Sequence, residues 1–145
     1  MKTKIFEAKK DKLFSVIFYG LFALFLFLML FIFKQESTNQ KWIGFFIVTF
    51  VFLMLIWIWY VTDYKIINTI LTIRSGPLTK NIPIRSITKI QKGKTKWVGY
   101  KLGLSTGGLI IYYNKYDEIY ITPQNQDKFC KQLKLVNKNI EIAKN

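Results

Sequence analysis

Two uncharged runs constrain this chain more than anything else in it. Leu13–Phe33 (LFSVIFYGLFALFLFLMLFIF) passes 21 residues without a charged side chain, and Trp42–Val61 (WIGFFIVTFVFLMLIWIWYV) passes 20. At ~1.5 Å of rise per helical residue, each run matches a hydrocarbon core roughly 30 Å thick. A secretory signal has an apolar core of about 7–15 residues and a small-residue cleavage site. Here the first run is longer, and the polar segment Lys34–Lys41 follows it. A soluble hairpin needs a polar stripe at the helical period, and Ser15, Tyr19, Gly20 and Thr49 are too few to draw one. The runs read as two transmembrane helices, 13–33 and 42–61, joined by a tight external turn at 34–41.

Charge is segregated around these runs, which reconciles 51% hydrophobic residues with a net charge of +14. Residues 1–12 form a basic N-terminal arm, with five Lys against Glu7 and Asp11; the turn carries +1 and residues 62–145 carry +10. Positive flanks stay in the cytoplasm, so both termini are expected inside a two-pass protein of the cell membrane. Trp42 at one end of the second run, and Trp57, Trp59 and Tyr60 at the other, suit interfacial aromatic belts as membrane anchors. Ordinary lipid-facing bulk explains them equally well.

The remaining 84 residues read mostly as strand. Tyr64–Ile67 and Ile70–Arg74 flank a two-residue turn at Asn68-Thr69, and Gly76-Pro77 leads into Leu78–Ile82. Pro83–Ser86 suits a helical turn, and Ile87–Gln91 alternates as a half-buried strand does. Further strands are expected around Leu102–Ser105, Leu109–Tyr113 and Glu118–Ile121. Thr122 is placed to cap a helix with Pro123 in its first turn, and Phe129, Leu133 and Val136 then share one face. The fold class is a membrane α-helical hairpin plus an α+β domain, a curved antiparallel sheet or open barrel with a C-terminal helix.

The series Tyr64-x-Ile66, Leu71-x-Ile73, Gly76, Ile84-x-x-Ile87-x-x-Ile90, Leu104-Ser105 and Ile121-Thr122-Pro123, with Phe129 and Leu133, resembles the bacterial pleckstrin-homology-like (PH-like) domain of YyaB-type small membrane proteins. The resemblance covers about Thr62–Ile140 and implies that two N-terminal transmembrane helices precede the domain. The chain departs from the pattern at Thr122, where Ser is frequent, and at Gly107-Gly108, where a polar or basic residue is usual. Related domains occur in bacteriocin self-immunity proteins, which makes self-immunity the alternative function.

The residues for catalysis are sparse. There is no His, which removes the commonest general base and metal ligand; the single Cys130 makes no zinc site by itself, and the eight carboxylates form no obvious cluster. No cofactor or metal is expected. Gly93-Lys94-Thr95 resembles the end of a phosphate-binding loop, but Thr88 stands where the first Gly belongs. A Lys101–Ser105 base–nucleophile pair is the remaining enzymatic option, and Cys130 reads as a small core residue.

The strongest binding signal is a run of seven cations without an acid: Lys80, Arg85, Lys89, Lys92, Lys94, Lys96 and Lys101, with Trp97 among them. Beneath a bilayer each such charge is worth ~1 kcal/mol toward anionic lipid. A solvated loop that only enforces topology accounts for the same run. The expected role is a non-enzymatic membrane-anchored module presenting a basic cytoplasmic surface to anionic phospholipid or to a protein or peptide partner. Tyr112, Tyr113, Tyr116 and Tyr120 cluster around one expected hairpin, with Tyr112 and Tyr113 on opposite faces. A peptide would add to an open sheet edge, assigned to no particular edge. No nucleic acid partner is expected, since the charge lies on no reading helix.

Overall fold

The computed structural model describes residues 3–34, 39–95 and 99–144. Each uncharged run is a single helix, α1 (Lys12–Lys34) and α2 (Asn39–Tyr60), and the two pack as a hairpin. Their seam is aromatic. Phe18 stacks on Trp59 at 4.3 Å between ring centroids, and Phe22 and Phe25 meet Phe52 at 5.0 and 5.6 Å. On α2 the covered positions Phe45, Val48, Phe52, Leu55 and Trp59 recur every three or four residues, the spacing of one helical face. The other faces stay bare: Phe27, Leu30, Phe46 and Phe50 are 65–69% exposed. Both helices are long and apolar enough to cross a membrane. Apolar surface on that scale calls for an apolar surrounding, which supports membrane association.

The rest is a two-sheet domain. After β1 (Thr3–Glu7) come β2 (Thr62–Ile67), β3 (Ile70–Ser75), β4 (Leu78–Pro83) and a 3-10 turn at Ile84–Ser86. Then follow β5 (Ile87–Lys94), β6 (Gly108–Tyr113), β7 (Asp117–Ile121), α3 (Gln126–Val136) and β8 (Glu141–Lys144). One sheet has the order β1-β2-β3-β4 and the other β7-β6-β5-β8, with β8 parallel to β5. Alternate residues of β2 and β3 (Tyr64, Ile66, Leu71, Ile73) point inward to meet Ile90, Leu109, Ile111, Ile119 and Ile121, and Phe129 and Leu133 of α3 complete the core.

Four features differ from the sequence expectations. The N-terminal arm is a strand: β1 pairs antiparallel with β2, and Phe6 meets the Phe129 ring edge-on at 5.1 Å. The membrane hairpin is therefore an insertion between two neighbouring strands of one sheet. Leu102–Ser105 forms no strand, because side chains take its backbone groups. Tyr64 Oη donates to Leu102 O, Thr122 Oγ1 accepts from Leu104 N, and Tyr120 Oη donates to Ser105 O. With its hydroxyl so used, Thr122 caps nothing. Asn125 caps α3 instead, its side chain accepting from Lys128 N at 3.0 Å. Finally, the chain continues past α3 into β8, whose spacing after Lys138-Asn139 is too short to show a period.

Candidate functional site at the base of the hairpin

The strands run up and down between two ends of the domain. Thr62, the Gly76-Pro77 turn, the end of β5, the start of β6 and the segment after Ile121 lie at the hairpin end; Asn68-Thr69, Ile84–Ser86 and Asn114–Tyr116 lie at the other. The hairpin end is tied down at several points. Gly76 N donates to Val61 O at 2.6 Å, and Thr62 Oγ1 donates to Ile58 O at 2.7 Å. Gly76 has φ +56° and lies so close to α2 that a Cβ there would come within 2.7 Å of Ile58 Cγ1. Lys9 N donates to Thr122 O at 2.6 Å and Gln124 N to Glu7 O at 2.9 Å.

Asp11 joins helix and loop in one residue. Its Oδ1 accepts from Phe14 N at 3.0 Å, which caps α1. Its Oδ2 accepts from Thr106 N at 2.8 Å and Thr106 Oγ1 at 2.7 Å. These bonds, led by that from Thr106 N, hold the carboxyl below its ordinary range against the opposing effect of burial. Lys101 lies in the same corner, with Nζ 4.6 Å from the Phe14 ring centroid and 5.5 Å from that of Tyr120. Burial lowers its pKa, and the charge of Asp11 opposes that shift. Lys10 Nζ sits 5.1 and 5.2 Å from the Trp59 and Tyr60 rings.

This geometry divides the seven-cation run. Lys94 and Lys101 fall at the hairpin end; Lys96 and Trp97 lie outside the described residues. Lys92 is largely buried and paired with Asp127 at 2.6 Å, and Lys89 pairs with Glu141 at 3.5 Å. Lys80 is exposed on β4, and Arg85 is exposed at the opposite end of the domain. At ~3.3 Å per strand residue, β5 alone separates Arg85 from Lys94 by about 20 Å. That is more than two Debye lengths of ~8 Å at physiological salt. The run is thus not one surface. Lys9, Lys10 and Lys12, beside the start of α1, lie at the same end as Lys94 and Lys101, and we term these five cations the basic collar. The signal for this was present in the sequence: the arm adjoins the first span.

Of the aromatic anchors, Trp42, Trp57 and Tyr60 are exposed, whereas Trp59 is 7% exposed and belongs to the hairpin seam. Tyr113 and Tyr120 are buried, Tyr112 donates to Gln91 Oε1 at 3.3 Å, and Tyr116 is exposed. Thr95 Oγ1 accepts from Gly107 N at 2.8 Å, so the Gly93-Lys94-Thr95 segment is engaged in the β5–β6 connection. Ser105 is fully buried and its Oγ donates to Thr106 O, while Lys101 faces aromatic rings. Cys130 is buried, which pushes its thiol up.

Comparison with known proteins agrees with this fold. The profile described as "Bacterial PH domain" matches residues 62–137. The chain is similar to "Uncharacterized protein YyaB" of Bacillus subtilis (strain 168), 31% identical over 102 residues that make up 70% of each chain. No solved structure matches. The two-sheet core, the packed C-terminal helix and both sequence matches agree: the chain belongs to the bacterial PH domain family, in the form that carries a two-helix apolar hairpin.

Proposed function

We propose that this protein is a non-enzymatic binding module of the cell membrane, anchored by both helices, with termini and PH-like domain cytoplasmic and the basic collar facing anionic phospholipid headgroups. The observation that carries this reading is the Asp11–Thr106 clasp, which holds the loop bearing Lys101 against the first turn of α1. Orientation is supported by the charge asymmetry, five Lys in the arm and a net +10 after the second span against +1 in the turn. The self-immunity alternative rests on analogy alone, and no feature of the structure favours it.

The test needs the full chain, since β1 precedes the hairpin. In nanodiscs of phosphatidylcholine containing a minor fraction of phosphatidylglycerol, native mass spectrometry reads which lipid stays bound. Phosphatidylglycerol is expected to be retained preferentially. The triple variant Lys9→Gln, Lys12→Gln, Lys94→Gln should lose about fivefold per charge, the equivalent of ~1 kcal/mol each. Equal retention of the two lipids by the unmodified chain sinks the reading.

A further inference from the structure

Beside the collar, a cavity of about 370 Å³ opens between β1, β2 and the end of α2. Its volume falls among small-molecule sites, ~300–1,000 Å³. Its lining carries opposite charges. Glu7 and Asp63 both line it, and they stand directly opposite each other in the β1–β2 register. Like charges in that position destabilise a strand pair unless something compensates. Asp63 Oδ2 has Lys65 Nζ at 3.2 Å, but Oδ1 is closed off from solvent and has no hydrogen-bond donor among the described residues. A carboxylate oxygen without a donor is costly, and the Asp63 side chain, 25% exposed, lines the cavity. Lys10 lines the same space, its ammonium over the Trp59 and Tyr60 rings. Ile5 and Val61 supply an apolar rim, and Tyr60 is the last residue of α2.

We propose that this cavity holds the headgroup of an aminophospholipid. The primary ammonium donates to the Asp63 and Glu7 carboxylates, the phosphate meets Lys10, and the acyl chains leave along the exposed side of α2 past Tyr60. A carboxylate pair and a lysine across one cavity complement a zwitterion better than a purely anionic lipid, which would meet Glu7 and Asp63 unfavourably. The carboxylate pair also distinguishes two headgroups of equal charge. Ethanolamine brings N–H donors, whereas choline has a quaternary nitrogen and none. The proposal rests on the membrane-spanning reading of the hairpin, and of its polar groups only Lys10 also belongs to the collar.

The experiment uses the full chain in nanodiscs with equal phosphatidylethanolamine and phosphatidylcholine and a fixed minor fraction of phosphatidylglycerol. Bound lipids are read by native mass spectrometry. The unmodified chain is expected to retain phosphatidylethanolamine over phosphatidylcholine by about tenfold, the scale of one charge-assisted hydrogen bond. Asp63→Asn, which keeps the side-chain shape, and separately Glu7→Gln should bring that ratio close to one without lowering the melting temperature, since either relieves the Glu7–Asp63 opposition. Equal retention by the unmodified chain overturns the inference, as does a preference that survives both substitutions. Loss of phosphatidylglycerol retention alone, in the same sample, overturns the collar reading instead. Free phosphoethanolamine added to phosphatidylcholine-only nanodiscs separates the sources: saturable binding there, without any lipid preference, overturns the lipid assignment.

Discussion

Replacing Asp11 by Ala should uncouple the basic loop from the membrane hairpin while leaving the domain core intact. The carboxylate accepts three hydrogen bonds, from Phe14 N, Thr106 N and Thr106 Oγ1. Losing the helix cap costs ~1 kcal/mol. Hydrogen bonds to a charged acceptor contribute about 1.5–3 kcal/mol each when sheltered, but this corner is only part-buried and the freed Thr106 donors regain water. A local loss of about 2–4 kcal/mol follows. By the rule of tenfold per ~1.4 kcal/mol, that is a fall in amide protection of roughly 30- to several-hundred-fold. Hydrogen exchange with mass spectrometry on the full chain in nanodiscs reads it at residues 101–106 and in the first turn of α1. Asp11→Asn separates the two roles, because Asn caps a helix as well as Asp does but brings no charge to Thr106. It should restore protection at Phe14 and leave the loop weakened. The folded-state pKa of Asp11 lies below 3.8, so its contribution is fully present above that value and is lost as pH falls through the folded pKa. At neutral pH the clasp is at full strength. Unchanged exchange over 101–106 in Asp11→Ala would refute the claim that this carboxylate holds the loop.

Two further outcomes follow from close packing and burial. Gly76→Ala places a Cβ within 2.7 Å of Ile58 Cγ1 at φ +56°. It should lower stability by ~1–3 kcal/mol, read as a drop in melting temperature; an unchanged melting temperature would mean that the turn does not press on α2. Tyr64 is fully buried, its hydroxyl donating to Leu102 O and accepting from Thr122 N, and burial pushes its pKa up to about 12. The stabilising form is the neutral phenol. Its contribution is therefore complete below the unfolded value of 10.0 and is lost as pH rises toward about 12. Alkaline melting curves of Tyr64→Phe should lack that Tyr64-linked decline between pH 10 and 12, though the variant starts less stable by ~1–3 kcal/mol from the two unsatisfied backbone groups.

Much of the fold was legible because its signals are local. The uncharged runs, the Asn68-Thr69 and Gly76-Pro77 turns and the alternation of Tyr64–Ile67 each depend on neighbours in sequence, and the structure has a helix, turn or strand at each. What escaped was set by distant partners. Thr3–Glu7 is too short and too charged to look like a strand, and it is one because β2 offers an open edge 55 or more residues later. Leu102–Ser105 has strand-like residues, yet the hydroxyls of Tyr64, Tyr120 and Thr122 claim its backbone first. The candidate site suffered in the same way. Proximity in sequence grouped Arg85 with Lys94, while the up-and-down path of β5 holds them apart. Lys9 and Lys12 were separated from Lys101 by the very spans that bring them together.

The insertion of the hairpin between β1 and β2 bears directly on the proposed role of the collar. A domain hung from one flexible linker swivels, and its charges sample a range of heights above a bilayer. Here the chain enters and leaves the hairpin through adjacent strands ~4.8 Å apart. On the α2 side, Val61 alone separates helix from strand. On the α1 side, Ala8 bridges Pro123, Lys9 N bonds Thr122 O, and Asp11 clasps Thr106, which leaves Lys10 as the one link residue whose side chain is directed to the α2 aromatics. Surface potential decays over ~8 Å at physiological salt, so a displacement of that size changes the interaction of each lysine about threefold. A junction tied on both sides removes that averaging. On the proposed lipid-binding reading, Lys9, Lys12, Lys94 and Lys101 would meet the lipid next to the hairpin at one fixed height, and substitutions that loosen the junction should weaken lipid selectivity without removing a single positive charge.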